Sequence, residues 1–543
     1  MINPGTIGTQ NLSPYSNCTS TNTDIITSCF VLSRGEFTTQ GNDAVVSFGY
    51  DFGAAHPADR PFPDPGIVPV DQPNIYDTGG HVAEGFAGDP TNAITSLGAV
   101  YGMAYHRGAD SVFASAYLKR HSAFGSGGTG AIYRIDRRFA NNDPQRYSVF
   151  ATVPNAGANP QAALTTRDDW RRDSATFNLI SRRSLGDMDL DGTEENLWIM
   201  NLNDRALYRL GVGNADPVAG AFTRYPSAGS LSGLVNGAGG LCAGQTDADI
   251  VPFAVKVHLG QVYIGLTCTA ESLAGDVFTN REQMRFLVYR LDPATATGVL
   301  GDFTLVLNVG HTDVNYNPNN ANRIRDNNAW RRWNTEFYTI ADAECSAGSA
   351  VDSYAGFCSN PQPLLADLEF TDNNDVILGF RDRWGDMMGA RSFNPVNAAD
   401  TFTYDGVAYG DILLACFGGA NIVTPVNGDF VLENNGTCGG RTTGGSGLAN
   451  LGPSEGSYYF EDYWFDVAGS VTNITLGGLA VVPGTGEVVT TVQDPIANNG
   501  ATRDGGVIWL NNNTGRRTRS FRLFDTNPAG TTPAQQSQTF GKS

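Results

Sequence analysis

Asp187-x-Asp189-x-Asp191-Gly192-x-x-Glu195 is the most chemically specific stretch of the chain. Alternating carboxylates that curl round a glycine turn suit calcium, a hard cation that takes roughly six to eight oxygen ligands. The EF-hand form of that loop fails, because Trp198 stands where a bidentate glutamate is required. An acidic turn between two strands is the alternative. Calcium is the only cofactor the sequence suggests.

Three further charged residues, Asp367, Glu369 and Lys256, fall at positions equivalent to Asp187 and Asp189 in a repeated pattern. If the repeats surround an axis, these groups gather near one channel, where crowded carboxylates need a cation, a proton or an arginine. Structural pairing is one outcome and a hydrolytic or lyase site is another. His106 and His258 are equivalent to each other and read as polar turn residues. Lys119-Arg120-His121 is the one dense basic group, and Gly125–Gly130 lacks the Gly-Lys-Ser/Thr ending of a phosphate loop. Two insertions join Trp to Arg, at Trp170-Arg171 and Trp330-Arg331-Arg332-Trp333; a third is aromatic around Tyr463 and Trp464. Such residues anchor interfaces and stack on sugar rings, or else fill small cores of their own. No Ser/His/Asp, zinc or nucleotide signature is convincing.

The elements that must position these groups are short strands. Five segments repeat one hairpin: 100–117, 185–202, 252–268, 365–382 and 476–493. In each, an alternating strand leads through Gly, Asp or Asn into a second strand rich in Val, Ile or aromatics. Third strands follow as AIYRID, ALYRLG, FLVYRLD, DILLACF and VIWLNN, and fourth strands are also recognisable. Four strands per unit, repeated, predict an all-β propeller with five blades and room for a sixth. Residues 98–525 form that propeller, with insertions at 156–183, 311–363 and 439–475. Residues 1–97 form an N-terminal arm whose one convincing strand, Ala44 to Tyr50, can complete the last sheet of the ring and lock the ring shut. Residues 526–543 read as a linker or terminal arm.

The net charge of −20 argues against nucleic acid as a partner. Lysine is confined to Lys119, Lys256 and Lys542, so the positive charge is nearly all arginine. Eight cysteines form four neighbouring pairs: Cys18 with Cys29, Cys242 with Cys268, Cys345 with Cys358, and Cys416 with Cys438. None makes a Cys-x-x-Cys motif, and local loops of this kind suit disulfides in an oxidising compartment. Met1-Ile-Asn-Pro-Gly lacks the basic start and apolar core of a signal peptide, so an exported form would be a mature chain. No window is long and apolar enough to span a membrane.

The segments Val112–Asp136, Leu185–Leu210, Ala366–Asp386 and Leu476–Gly515 carry a family resemblance. They resemble the propeller region of large secreted bacterial surface proteins, in which adhesin-type B repeats often follow. The resemblance implies export and a surface or matrix role, and supplies no catalytic residues. The expectation is therefore a non-enzymatic extracellular propeller of a cell-surface assembly, filament or adhesive layer. Its partners would be other copies, surface proteins or glycans, met through the Arg-aromatic insertions and terminal arms. A calcium-dependent hydrolase or lyase with an acidic channel is the alternative.

Overall fold

The computed structural model describes residues 24–30, 45–50, 54–55, 97–139, 143–277, 279–311, 330–342, 344–347, 354–389, 392–406, 408–419, 428–444, 457–465, 471–473, 475–493, 495, 505–524 and 539–540. Five antiparallel four-stranded blades follow one another along the chain. The first runs Val100–His106, Ser111–Ala116, Ala131–Asp136, Tyr147–Thr152, and the second Leu185–Leu190, Asn196–Asn201, Ala206–Gly211, Phe222–Tyr225. The third runs Ile250–His258, Gln261–Cys268, Arg285–Leu291, Phe303–Gly310. The fourth is Pro363–Phe370, Val376–Asp382, Gly410–Phe417, Phe430–Leu432, and the fifth Thr475–Val481, Glu487–Gln493, Gly505–Asn511, Arg517–Phe524. The all-β propeller expected from the repeats is the observed fold.

A single blade cannot bury a core, so its apolar faces pack on its neighbours. Ala104, Phe113, Met188 and Ile199 share one cluster between the first two blades, and Tyr263, Leu365, Leu378 and Phe380 share another between the third and fourth. Ile377, Ile412, Leu479 and Val488 join the fourth to the fifth. Neighbouring inner strands also pack directly on one another from the first blade through to the fifth.

Each inner strand slips register once: between Val100 and Met103, Leu185 and Met188, Pro252 and Val255, Leu365 and Asp367, and Thr475 and Leu479. A bulge sharpens the twist and turns backbone groups out of the ladder. This five-fold recurrence sets the geometry of the axis.

The N-terminal arm does not complete a blade with the strand expected. Val45–Gly49 pairs with Asp24–Phe30, which also pairs with Thr539–Phe540, making a separate three-stranded sheet. Ala54–Ala55 instead joins the outer edge of the fifth blade, beside Arg517–Phe524. The difference is one of competition: the strand found its partner in Asp24–Phe30, which sequence alternation did not single out.

Among the described residues three disulfides close local loops: Cys242–Cys268, Cys345–Cys358 and Cys416–Cys438. Cys18 and the Cys29 side chain lie outside the described residues. Disulfides are the chemistry of non-cytosolic compartments. Among the described residues no helix is long and apolar enough to cross a membrane.

Blade spacing is tight enough to test. A methyl added at Gly410 would lie 2.1 Å from the Thr475 carbonyl oxygen, whereas one at Gly211 would meet nothing within 4 Å. Gly410→Ala is expected to destabilise the fold by about 1–3 kcal/mol, and Gly211→Ala to stay within about 0.5 kcal/mol. Urea midpoints of the two variants check this.

Candidate functional site

The bulges explain the channel acids. Asp187 accepts from the backbone N–H of Met188 at 2.8 Å and from that of Val255, on the next blade, at 2.9 Å. Asp367 repeats the arrangement two blades on, accepting from Leu368 N at 2.8 Å and from Leu479 N at 2.8 Å. Val255 and Leu479 both directly follow a bulge, so their N–H groups have left the ladder and need an acceptor. The other two seams use hydroxyls. Ser115 Oγ donates to Gly186 O at 2.8 Å, and Thr267 Oγ1 accepts from Leu365 N at 3.0 Å.

Two residues further along, Asp189 accepts from Val257 N at 2.9 Å. Lys256 Nζ sits 2.7 Å from Glu369 and 3.5 Å from Asp189, tying three successive blades together. The two histidines are cross-blade struts as well. His106 Nδ1 accepts from Ala109 N, so its Nε2–H donates to Gly213 O on the second blade at 2.8 Å. His258 lies flat on Phe370, with centroids 4.1 Å apart, and bonds Asn374 on the fourth blade at 2.9 Å. Burial pushes the His258 imidazole down to about 4, so it is neutral at physiological pH.

The four residues of the acidic loop do not converge. Asp187 and Asp189 reach across to the third blade, while Asp191 accepts from Glu195 N at 3.0 Å and from Asn196 Nδ2 at 2.7 Å within its own turn. Glu195 lies near Asn214 Nδ2, at 3.4 Å. Among the described residues no group of three or more His, Cys, Asp or Glu side chains is arranged to hold a metal ion.

Lys119-Arg120-His121 meets a different carboxylate. The short helix Arg383–Met388 follows the fourth blade's second strand and presents Asp386 to the first blade. Asp386 is gripped by Arg381 through Nε at 2.6 Å and Nη2 at 2.5 Å, by Lys119 Nζ at 3.1 Å and by the Tyr117 hydroxyl at 2.9 Å. Burial alone would raise its carboxyl, but Arg381 and Lys119 outweigh that and hold it at about 2. Aromatic rings close the axis around this group: Tyr101 meets Phe253 edge-on at 4.9 Å, and Phe30 lies 5.7 Å from Tyr117. Arg120 donates to the carbonyls of Met387 and Phe393, each at 2.9 Å. Both ring nitrogens of His121 face carbonyl oxygens, Trp170 O at 2.6 Å and Met388 O at 2.9 Å, a pair of bonds that only the imidazolium makes together.

The Trp-Arg insertions build the cap over this end. Trp330, Arg331 and Trp333 are buried, with Trp333 Nε1 donating to Pro363 O at 2.8 Å and Arg331 bonded to Tyr338 at 3.0 Å. Arg383 stacks on Trp333 at 4.3 Å. Trp170 and Arg171 are half-buried on the short helix Arg167–Arg172, with Arg171 over the Phe393 ring. Of the two sequence readings, core and interface, the WRRW insertion takes the first. Tyr463 and Trp464 lie in the short strand Tyr463–Phe465, and their side chains are outside the described residues.

One group had no signal in the sequence. Glu433 and Asp462 are buried beside the aromatic insertion, and burial, reinforced by Asp411, raises both carboxyls well above their usual range. Their spacing in the chain is irregular, and only folding brings them together.

No known family model matches the chain. It is 27% identical over 470 residues to Colossin-A of Dictyostelium discoideum, covering 83% of this chain and 3% of that protein. Colossin-C of the same organism is 24% identical over 82% of this chain and 37% of its own length. The chain thus spans a small part of these curated relatives. Among solved structures, the Dos1 propeller aligns with 9% identity and a TM-score of 0.28, over 78% of this chain and 61% of that one. A luciferin-regenerating enzyme aligns with 7% identity and a TM-score of 0.30, over 78% and 76%.

The two buried acid systems predict opposite pH effects. Asp386 titrates lower in the fold than unfolded, so its contribution is present above about pH 4 and lost as pH falls towards 2. Asp386→Asn should flatten that acid limb, and Asp386→Ala, which strands two buried cations, should cost about 3–5 kcal/mol. Asp462 titrates higher in the fold, so stability declines as pH rises above about 4, and Asp462→Asn should gain stability at pH 8 relative to the parent. Denaturation midpoints measured from pH 2 to 9 check both.

Proposed function

We propose that the chain is an extracellular, non-enzymatic propeller module of a larger cell-surface or matrix architecture. One observation supports this above the rest. The charged groups that the sequence offered to catalysis — Asp187, Asp189, Lys256, Asp367 and Glu369 — all reach across blade seams as struts. Groups so committed hold a scaffold in shape. The three disulfides suit an extracellular setting, and the module forms only a fraction of the relatives it resembles.

The partners are neighbouring copies, other surface proteins or glycans. With the WRRW insertion buried in the cap, contacts fall to the outer rim and the arms. The fit with the surface-protein resemblance is a filament, lattice or adhesive layer.

Antibody labelling of intact producing cells tests the setting: signal without permeabilisation is expected, and signal only after it would overturn the proposal. A screen of glycan and ester substrates, with and without chelator, tests the chemistry. Turnover is expected in neither condition. Chelator-sensitive turnover abolished by Glu369→Gln would establish a calcium-dependent hydrolase instead.

A further inference from the structure

The ring has one seam unlike the others. Inner strands of the first to fifth blades pack side by side in chain order, but among the described residues the fifth and first do not meet in that way. The N-terminal hairpin fills the gap. Ile25 and Tyr50 pack into the fifth blade with Leu476, Val489, Trp509 and Phe521. Val45 packs into the first blade with Val100, Val112 and Tyr133, and Phe30 lies against Tyr117 at the axis. Polar contacts lock the same joint: Tyr50 OH donates to Glu487 at 2.6 Å, and Arg519 Nη1 donates to the Tyr50 carbonyl at 2.6 Å. Ala54–Ala55 then adds a fifth strand to the fifth blade's outer edge.

The arm is therefore a wedge that completes the ring, and it is joined to the ring only through residues 56–96. At no more than about 3.3–3.6 Å per residue, a stretch of that length can span more than about 100 Å, so chain length alone does not confine the arm to its own ring. We propose that the seam between the fifth and first blades is a docking groove for this hairpin, and that a second copy of the chain supplies it. Given to a neighbour, the hairpin can make the contacts it makes at home, because each is to the blades or to the C-terminal strand Thr539–Phe540 of the accepting chain. The donating surface differs from the accepting one, so the interface is heterologous, and repetition builds an open chain or closed ring of subunits. Pairing by an added strand and a buried apolar wedge is a general mode of protein–protein recognition. This rests on the self-association named in the proposed function, and supplies its interface.

The pair Ala54↔Ser520 reports on the exchange, since the two face each other across the outermost strands. Ala54→Cys and Ser520→Cys are placed on separate chains carrying different tags and co-expressed in an oxidising compartment. The double variant on one chain is the companion. A disulfide-linked band at twice the chain mass that carries both tags, lost on reduction, is the expected result. Separate monomers from the mixture, with the bond closed inside single chains of the double variant, would show that each ring keeps its own arm and would overturn the proposal. Absence of a bond in either would overturn it too, by removing Ala54 from that edge. Surface labelling of intact cells is independent of all three outcomes, so loss of the exchange leaves the extracellular role to be judged separately.

Discussion

A bulge in a β-strand leaves a backbone N–H without its ladder partner, and this propeller is organised around satisfying such groups from the neighbouring blade. Asp187 serves Val255 and Asp367 serves Leu479, each spending one carboxylate oxygen on its own strand and the other on the next. A hydrogen bond to a charged acceptor in a buried site contributes about 1.5–3 kcal/mol, and an orphaned N–H there costs about as much. Each bond therefore fixes both spacing and register between blades. At two further seams neutral hydroxyls bridge the blades: Thr267 accepts the Leu365 N–H, and Ser115 donates to the Gly186 carbonyl. Hydrophobic packing between blades supplies most of the cohesion, but it is non-directional. The polar struts decide how one blade sits on the next.

The two ends of the axis are closed by different physics. At one end Lys256 shares itself between Glu369 and Asp189, partly open to water, where an ion pair adds little stability and much orientation. At the other, Asp386 is wholly buried with Arg381, Lys119 and Tyr117 around it and aromatic rings beneath. Such a group is stable only as a complete set, since each cation has given up its water for the same carboxylate. The cap binds the first blade to the fourth across the axis, so the ring is braced along a chord as well as round its circumference. A frame of this kind suits a module that must keep its shape in a larger architecture.

Much of this was legible beforehand, for identifiable reasons. The hairpin repeat appeared because period-two alternation and turn residues are local properties. Asp187, Asp189, Asp367, Glu369 and Lys256 stood out because equivalent positions in repeats face the same axis. Their separate tasks did not, since a carboxylate that ligates and one that accepts from a backbone N–H look alike in sequence. Trp330 and Trp333 could be anchors or core by composition alone, and their burial beneath Arg383 and Pro363 depends on segments distant in the chain. The Lys119-Arg120-His121 triplet was conspicuous, but its partner Asp386 was not, being one aspartate among many.

By itself the sequence determined the all-β class, the number of repeated hairpins, the placing of each cysteine near a neighbour and the column of charges along the inner strands. All of these follow from spacing within a few residues or from repetition. Only the tertiary structure decided that the charges serve as struts, that the Trp-Arg insertion forms a cap, and that the N-terminal hairpin wedges the ring at its seam. Those outcomes depend on which backbone groups a bulge exposes and on which desolvated charges meet, and both are set by residues far apart in the chain.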